Sequence, residues 1–137
     1  MGWEMLQLRL AAAAAVAGIV STGAGAALAH HSFAMFDATK EVTLQGTVVE
    51  LQWVNPHSWL ELTAPAPGDA TKTAQWGLEM QPPTAMRRQG WTATTVKPGD
   101  KVTVVINPMK DGRAGGALVR ITLPDGKVLG RQRRQEG

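Results

Sequence analysis

Three histidines supply every imidazole in this 137-residue chain, and their positions suggest metal chemistry. His30 and His31 are adjacent, just after an alanine-rich apolar stretch, and His57 follows the dipeptide Asn55-Pro56. If the chain is cut before His30, the new α-amino group and the ring Nδ1 of that residue can close a chelate ring around one metal ion. A further imidazole, from His31 or His57, completes a T-shaped set of nitrogen ligands, the arrangement known as a histidine brace.

Such a nitrogen-rich, tetragonal site suits Cu(II), which also tops the affinity order of the divalent metals. An amino group with a pKa near ~7.7–8.0 and an imidazole near ~6.5 can both lose their protons to a metal at neutral pH. We therefore predict a copper site made of His30 with His31 or His57. The alternative is that the adjacent histidines are solvated and that His57 only caps a corner of the chain.

The segment before His30 has the features of an export signal. Arg9 precedes an apolar run, Leu10 to Val20, and the pattern Ala27-Leu28-Ala29 is typical of a signal-peptidase site. A membrane anchor is the alternative, but glycine, serine and threonine interrupt the run and no basic cluster follows it. We predict that residues 1–29 are removed by a cut after Ala29, that the protein is periplasmic or secreted, and that it has no stable membrane insertion afterwards.

Alternation of apolar residues predicts β-strands in the rest of the chain. In "EVTLQGTVVELQWVN" the apolar positions are even up to Val48 and odd from Val49 to Trp53. Because the side chains of a strand alternate between two faces, this change of parity predicts an extra residue, a β-bulge. After a corner at Asn55-Pro56, the second strand has leucines on one face, while the opposite face carries His57, Trp59 and Glu61.

The order of strands and helix along the rest of the chain is typical of a known fold. A third strand ends near Met80, a short helix is expected near residues 83–90, and two further strands follow it. The segments "APAPGDATK" and "NPMKDGRAGG" have the composition of loops. Three strands, a helix and two strands are the order of the OB-fold, a small five-stranded, partly open barrel. We predict an all-β domain with one short helix over residues 30–129, and a basic tail without fixed structure over residues 130–137.

Several motifs together resemble a known family. They are "HHSFAMFD", "GTVVELQWVNPHSWL", "WGLEM", "RRQGW", "KPGDKVTV" and "KDGRAGG". In combination they are similar to a family of small exported proteins of Gram-negative bacteria that is described only as a domain of unknown function. The resemblance extends from His30 to Leu129 and implies export and a small barrel. It implies no biochemical activity, so function must be argued from the residues.

Charge and composition exclude some functions. The net charge is +3, part of which lies in the tail "GRQRRQEG", so the body of the domain is close to neutral. A nucleic-acid partner is not expected, because the other basic residues are scattered and export removes the usual substrate. The chain has no cysteine, so it must fold without disulfides. Its serines and glutamates form no spacing typical of a catalytic site, so we do not predict an enzyme. The sequence indicates no particular protein partner.

A second hypothesis is an OB-type module that binds a glycan or another small ligand without metal. Such barrels bind ligands on the face of strands two and three, where Trp53 and Trp59 are candidate stacking platforms and Glu61 a polar contact. The alternative for both tryptophans is burial in the core. The chain also looks like small exported Cu(I) chaperones in architecture, but Trp76 and Met80 alternate with a core leucine and lack their close tryptophan–methionine spacing.

Overall fold

The computed structural model describes residues 33–131. The fold below is that of the unit Met35–Gly137 within this range; Phe33 and Ala34 belong to a separate unit. Among the described residues no helix is long and apolar enough to cross a membrane. The elements, in chain order, are β1 (Val42–Gln52), β2 (Trp59–Ala66), β3 (Asp69–Glu79), α1 (Pro83–Arg88), β4 (Lys101–Pro108), β5 (Gly115–Thr122) and β6 (Val128–Gly130).

The six strands form one sheet in the order β3-β2-β1-β4-β5-β6. Neighbours in this order are antiparallel, and β3 makes an additional parallel pairing with β5. The prediction of a mostly β domain with one short helix is confirmed. The strand β6 lies beyond the five predicted strands, and the amide of Arg131, just after it, donates to the carbonyl of Val119 at 2.9 Å.

The bulge predicted in β1 is confirmed. The register of β1 with β2 shifts between Val48, which pairs with Leu62, and Glu50, which pairs with Glu61. Val49 is the extra residue and is 40% exposed, so the second apolar series begins at Leu51 rather than at Val49. The bulge keeps apolar side chains on the inner face along the whole of β1, and it turns Gln52 to the outer face.

Both segments that were predicted as loops are shorter in the structure. Only Pro67 and Gly68 connect β2 to β3, and Gly68 takes the positive φ of 74° that a tight turn requires. The ladder extends into the proline-rich part, where Pro65 pairs with Thr73. Similarly, the connection of β4 to β5 is only residues 109–114, because both glycines at the end of "NPMKDGRAGG" lie in β5.

The core lies on the inner face of the sheet. Leu60 and Leu62 of β2 have no exposed surface, and neither has Leu78 of β3. The helix α1 buries Met86 in the same cluster, and Trp91, just after the helix, is 2% exposed. Met80 and Met86 therefore fill the core, and only Met80 continues the alternation of Trp76 and Leu78. The helix begins with prolines and is followed by Gly90 at a φ of 89°, so it stops after less than two turns.

Two strand glycines should respond very differently to replacement by alanine. A Cβ on Gly116 would lie 2.6 Å from the carbonyl oxygen of Asn107, whereas a Cβ on Gly77 would meet no heavy atom within 4 Å. We expect Gly116→Ala to lower the free energy of unfolding by about 1–3 kcal/mol, because the backbone of β4 must move. Gly77→Ala should change it by less than about 0.5 kcal/mol. Urea unfolding of both variants checks this, and equal losses would contradict the described pairing of β4 with β5.

Aspartates hold several exposed turns. The amide and hydroxyl of Thr39 donate to Asp37, and those of Thr71 donate to Asp69 in the same way. These hydrogen bonds to the charged form hold the pKa of both carboxyls below the usual 3.8. Because the folded pKa is lowered, the stability that these bonds contribute is present above pH 3.8 and is lost as the pH falls through the lowered pKa.

Candidate functional site

His57 lies at the corner before β2 and contacts a buried carboxylate of β3. Its Nδ1 atom is an ion-pair neighbour of Oε1 of Glu79, whose side chain is only 8% exposed. The His57 side chain is 27% exposed. Its Nδ1 is inaccessible to solvent, so the exposed area belongs to the other atoms of the ring. The ring is therefore fixed at one edge and partly open at the other.

The register of β2 and β3 brings these two residues together. Trp59, the first residue of β2, pairs with Glu79, the last residue of β3. The backbone hydrogen bonds continue one step beyond the two strands. The amide of Met80 donates to the carbonyl of Ser58 at 2.9 Å, and the amide of Ser58 donates to the carbonyl of Gln81 at 3.3 Å. His57 therefore lies beside the end of β3, although 22 positions separate it from Glu79 in the chain.

The contact with Glu79 determines which ring nitrogen of His57 can act as a ligand. A carboxylate at Nδ1 holds the proton there, so in the neutral imidazole the lone pair lies on Nε2. Carboxylate–histidine pairs of this kind orient histidines that bind metals. Two chemical roles fit this arrangement: a single nitrogen ligand to a metal ion, or a hydrogen-bond acceptor for another molecule.

On the outer face of the sheet, Glu61 is held by two glutamines. Nε2 of Gln52 in β1 donates to Oε1 of Glu61 at 3.0 Å, and Nε2 of Gln75 in β3 donates to its Oε2 at 2.7 Å. Trp59 is on the same face of β2, since it alternates with the buried Leu60. The structure therefore brings together Trp59 and Glu61 of the predicted ligand face.

Trp53, the third residue of that predicted face, has different surroundings. Its side chain packs against the buried core cluster. The guanidinium carbon of Arg87, in α1, lies 5.7 Å from the centroid of the Trp53 ring, a cation–π contact. Trp53 therefore joins the helix to the end of β1 instead of sharing a surface with Trp59.

A groove of about 450 Å³ lies further along the same strands. It crosses the first part of β1, the second half of β2 and the beginnings of β3 and β4. Most of its polar lining consists of hydroxyl groups, with one charged side chain at its edge, and the polar side chains are Gln45, Thr47, Thr63, Thr73, Lys101 and Thr103. In the register, Thr63 pairs with Gln75, so the groove adjoins the Glu61 cluster.

The predicted ligands His30 and His31 lie outside the described residues, as do the predicted signal peptide and the tail from residue 132. Within residues 33–131 no three His, Cys, Asp or Glu side chains come together as a metal site. Of the three predicted metal ligands, only His57 is therefore described, and its surroundings are those of a single oriented imidazole.

Sequence reasoning missed Glu79, Gln52 and Gln75 as members of these clusters. Gln52 lies on β1 and the other two lie on β3, whereas His57 and Glu61 belong to β2 and the corner before it, so no spacing along the chain reveals them. The two-residue turn between β2 and β3 does not give these partners either, because the register shifts between Pro65 and Ala66 and because Gln52 lies on β1, outside the hairpin.

The described chain is thus a mostly β domain with a histidine–glutamate pair at one corner and a polar outer face. It belongs to the family of unknown function DUF6152, which matches residues 15–119. No curated protein matches the chain at a significant level, and no solved structure does so either.

Proposed function

We propose that this protein is a small exported metal-binding or carrier protein, and that its metal is copper. In this proposal a cut after Ala29 makes His30 the first residue of a periplasmic protein. The amino group and ring of His30 bind Cu(II), and His57 or His31 supplies a further imidazole. The role is binding and delivery of the metal, without catalysis.

The observation that carries the proposal is the contact of His57 with Glu79. Burying a charge costs free energy, so a carboxylate that is 8% exposed requires a partner. His57 supplies this partner through its buried Nδ1, and the other edge of its ring stays open to a ligand. A histidine that binds a metal through Nε2 usually donates its other ring N–H to a carboxylate, as His57 can to Glu79. Since the pair lies at the fixed end of the β2–β3 ladder, the imidazole is already oriented before a metal arrives.

The domain in this proposal is an OB-type barrel. The strand pairings support it, because each strand from β1 to β5 has a neighbour on both sides, in the circuit β1-β2-β3-β5-β4. The short helix between β3 and β4 also agrees with the OB-type order. A rigid barrel would hold the corner at His57 in one position relative to the rest of the domain.

The experiment is a copper titration of protein purified from the periplasm, after intact mass spectrometry has established its first residue. The native start at His30 should bind one Cu(II) per chain. A variant with four extra residues, Gly-Ser-Gly-Ser, ahead of His30 should bind at least about tenfold more weakly, a difference of about 1.4 kcal/mol. A single added residue would not be a suitable control, because it makes His31 the third residue of the chain. A histidine in third position chelates copper through its imidazole, the terminal amine and the backbone amides between them.

Two further variants separate the choices of partner ligand. His57→Asn keeps a donor near Glu79 but removes the ring Nε2, so it should weaken binding only if His57 is the partner. His31→Ala should weaken it only if the site is local to the terminus. Equal, weak binding by the native and extended chains, or retention of the leader in the mature protein, would overturn the proposal.

A further inference from the structure

The outer face of β2 and β3 is a surface that the metal proposal uses only at one end, where Glu79 contacts His57. In β2 the outward residues alternate with the buried Leu60 and Leu62, and in β3 they alternate with the buried Trp76 and Leu78. The outward pairs, in order along the hairpin, are Trp59 with Glu79, Glu61 with Gly77, Thr63 with Gln75 and Pro65 with Thr73. With a rise of about 3.3 Å per residue, this face is about 20 Å long.

Glu61 and its two glutamines present alternating hydrogen-bond acceptors and donors. The carboxylate is fixed by the amides of Gln52 and Gln75 at 3.0 and 2.7 Å, and Nε2 of Gln52 also donates to Oε2 of Glu50 at 3.4 Å. The amide of Gln75 keeps a second N–H, and both amides keep a carbonyl oxygen. Hydroxyl groups suit such an array because they both donate and accept. An ammonium group can only donate, so it would leave the amide N–H groups without an acceptor, and a phosphate would be repelled by the carboxylate.

Gly77 leaves an open depression beside Trp59. It is the third residue from the end of β3, inside a strand that glycine weakens, and no heavy atom lies within 4 Å of the position of a Cβ. Its pairing partner is Glu61, and Trp59 is the diagonal neighbour on the same face. A glycine at this place provides room for a flat ring to lie against the strand next to the indole.

The groove at the other end of the face is also lined by groups that can bond to hydroxyls. Its volume is about 450 Å³, and it is lined by the hydroxyls of four threonines with a single positive charge, from Lys101. Thr63 belongs to the groove and pairs with Gln75, so the groove adjoins the Glu61 cluster. The whole surface is therefore hydroxyl- and amide-rich, elongated, and bordered by an aromatic ring at one end.

We propose that this outer face binds a neutral oligosaccharide in an extended conformation. One sugar ring stacks on Trp59 over the depression at Gly77, and its hydroxyls bond to Glu61, Gln52 and Gln75. Further units continue into the threonine-lined groove. This binding is independent of the copper proposal, because it uses none of His30, His31 and His57.

The test is a titration of the full mature protein with three neutral hexasaccharides, cellohexaose, maltohexaose and chitohexaose, in the presence of a metal chelator. Two-dimensional NMR should register binding of at least one of them at the side-chain amides of Gln52 and Gln75 and at the indole N–H of Trp59. Gly77→Leu fills the depression and should weaken that binding at least about tenfold, as expected for the loss of a central contact. Gly77→Ala is the matched control and should change the affinity by less than about threefold.

Trp59→Ala provides a second variant in case Gly77→Leu does not fold, and it should give a similar loss. If none of the three hexasaccharides shifts these resonances, the proposal is wrong. It is also wrong if a sugar binds but Trp59→Ala and Gly77→Leu retain wild-type affinity, because the site then lies elsewhere. Shifts of the same resonances by single-stranded DNA or a cationic peptide, without any by the sugars, would assign the face to another class of ligand and overturn the proposal.

Discussion

Replacing Trp91 with alanine should lower the free energy of unfolding by about 3–5 kcal/mol, the range for a fully buried tryptophan. Trp91 is 2% exposed and is the largest of the fully buried side chains. Its amide donates to the carbonyl of Met86 at 3.1 Å, so backbone and side chain both connect the end of α1 to the core. Because a domain of this size has a total stability of about 5–15 kcal/mol, this loss is a large share of it.

Urea unfolding followed by circular dichroism measures this loss, and Trp59→Ala is the matched control. Trp59 lies on the outer face, so the same change of residue type should cost far less there. If the two variants lost the same stability, Trp91 would not be a core residue. A shift in the denaturant midpoint with an unchanged slope would show that the native fold is retained and only weakened.

Replacing Glu79 with leucine should weaken Cu(II) binding by about 10–100-fold, the effect usually found when the outer-shell partner of a metal-binding histidine is removed. This prediction depends on the proposed copper site with His57 as a ligand. Leucine cannot accept from Nδ1, so the ring loses both its orientation and the tautomer that leaves the lone pair on Nε2. Glu79→Gln should have a smaller effect, because the amide oxygen still accepts from Nδ1–H.

Competition titration with a chelator of known affinity measures these constants, and Glu61→Gln is the control. Glu61 is also acidic and on the same strand pair, but its carboxylate bonds to glutamines rather than to the imidazole. An equal loss in Glu61→Gln would mean that only the negative charge of the surface matters. Unchanged affinity in Glu79→Leu would exclude His57 and leave a local site at His30 and His31.

The strands and their buried faces could be predicted from the sequence where apolar and polar residues alternate over many positions. In β1, eleven residues with a change of parity were enough to predict the bulge. Only Val49 was misplaced, because a bulge leaves one residue without a cross-strand partner and an apolar residue there can be exposed. Composition was a poorer guide than alternation. The prolines and glycine of "APAPGDATK" indicate a loop, but Pro65 still fits into the ladder next to the turn.

Short or distant features could not be predicted in this way. The strand β6 has three residues, too few for a periodic pattern, and only its pairing with β5 and the burial of Leu129 define it. The partner of His57 was missed for a different reason. Its contact with Glu79 depends on the register of the hairpin, and a register shift between Pro65 and Ala66 changes the pairing that a simple two-residue turn would give.

The bulge in β1 makes the number of residues there more important than their identity. Val49 is exposed, so many side chains would be compatible with its position. Losing the residue altogether would reverse the orientation of everything that follows it in the strand. Leu51 would then turn towards water and Gln52 towards the core, and Glu61 would lose one of its two amide donors. Variation in this part of the protein is therefore restricted to substitutions, whereas the two-residue connection at Pro67 and Gly68 has room for added length.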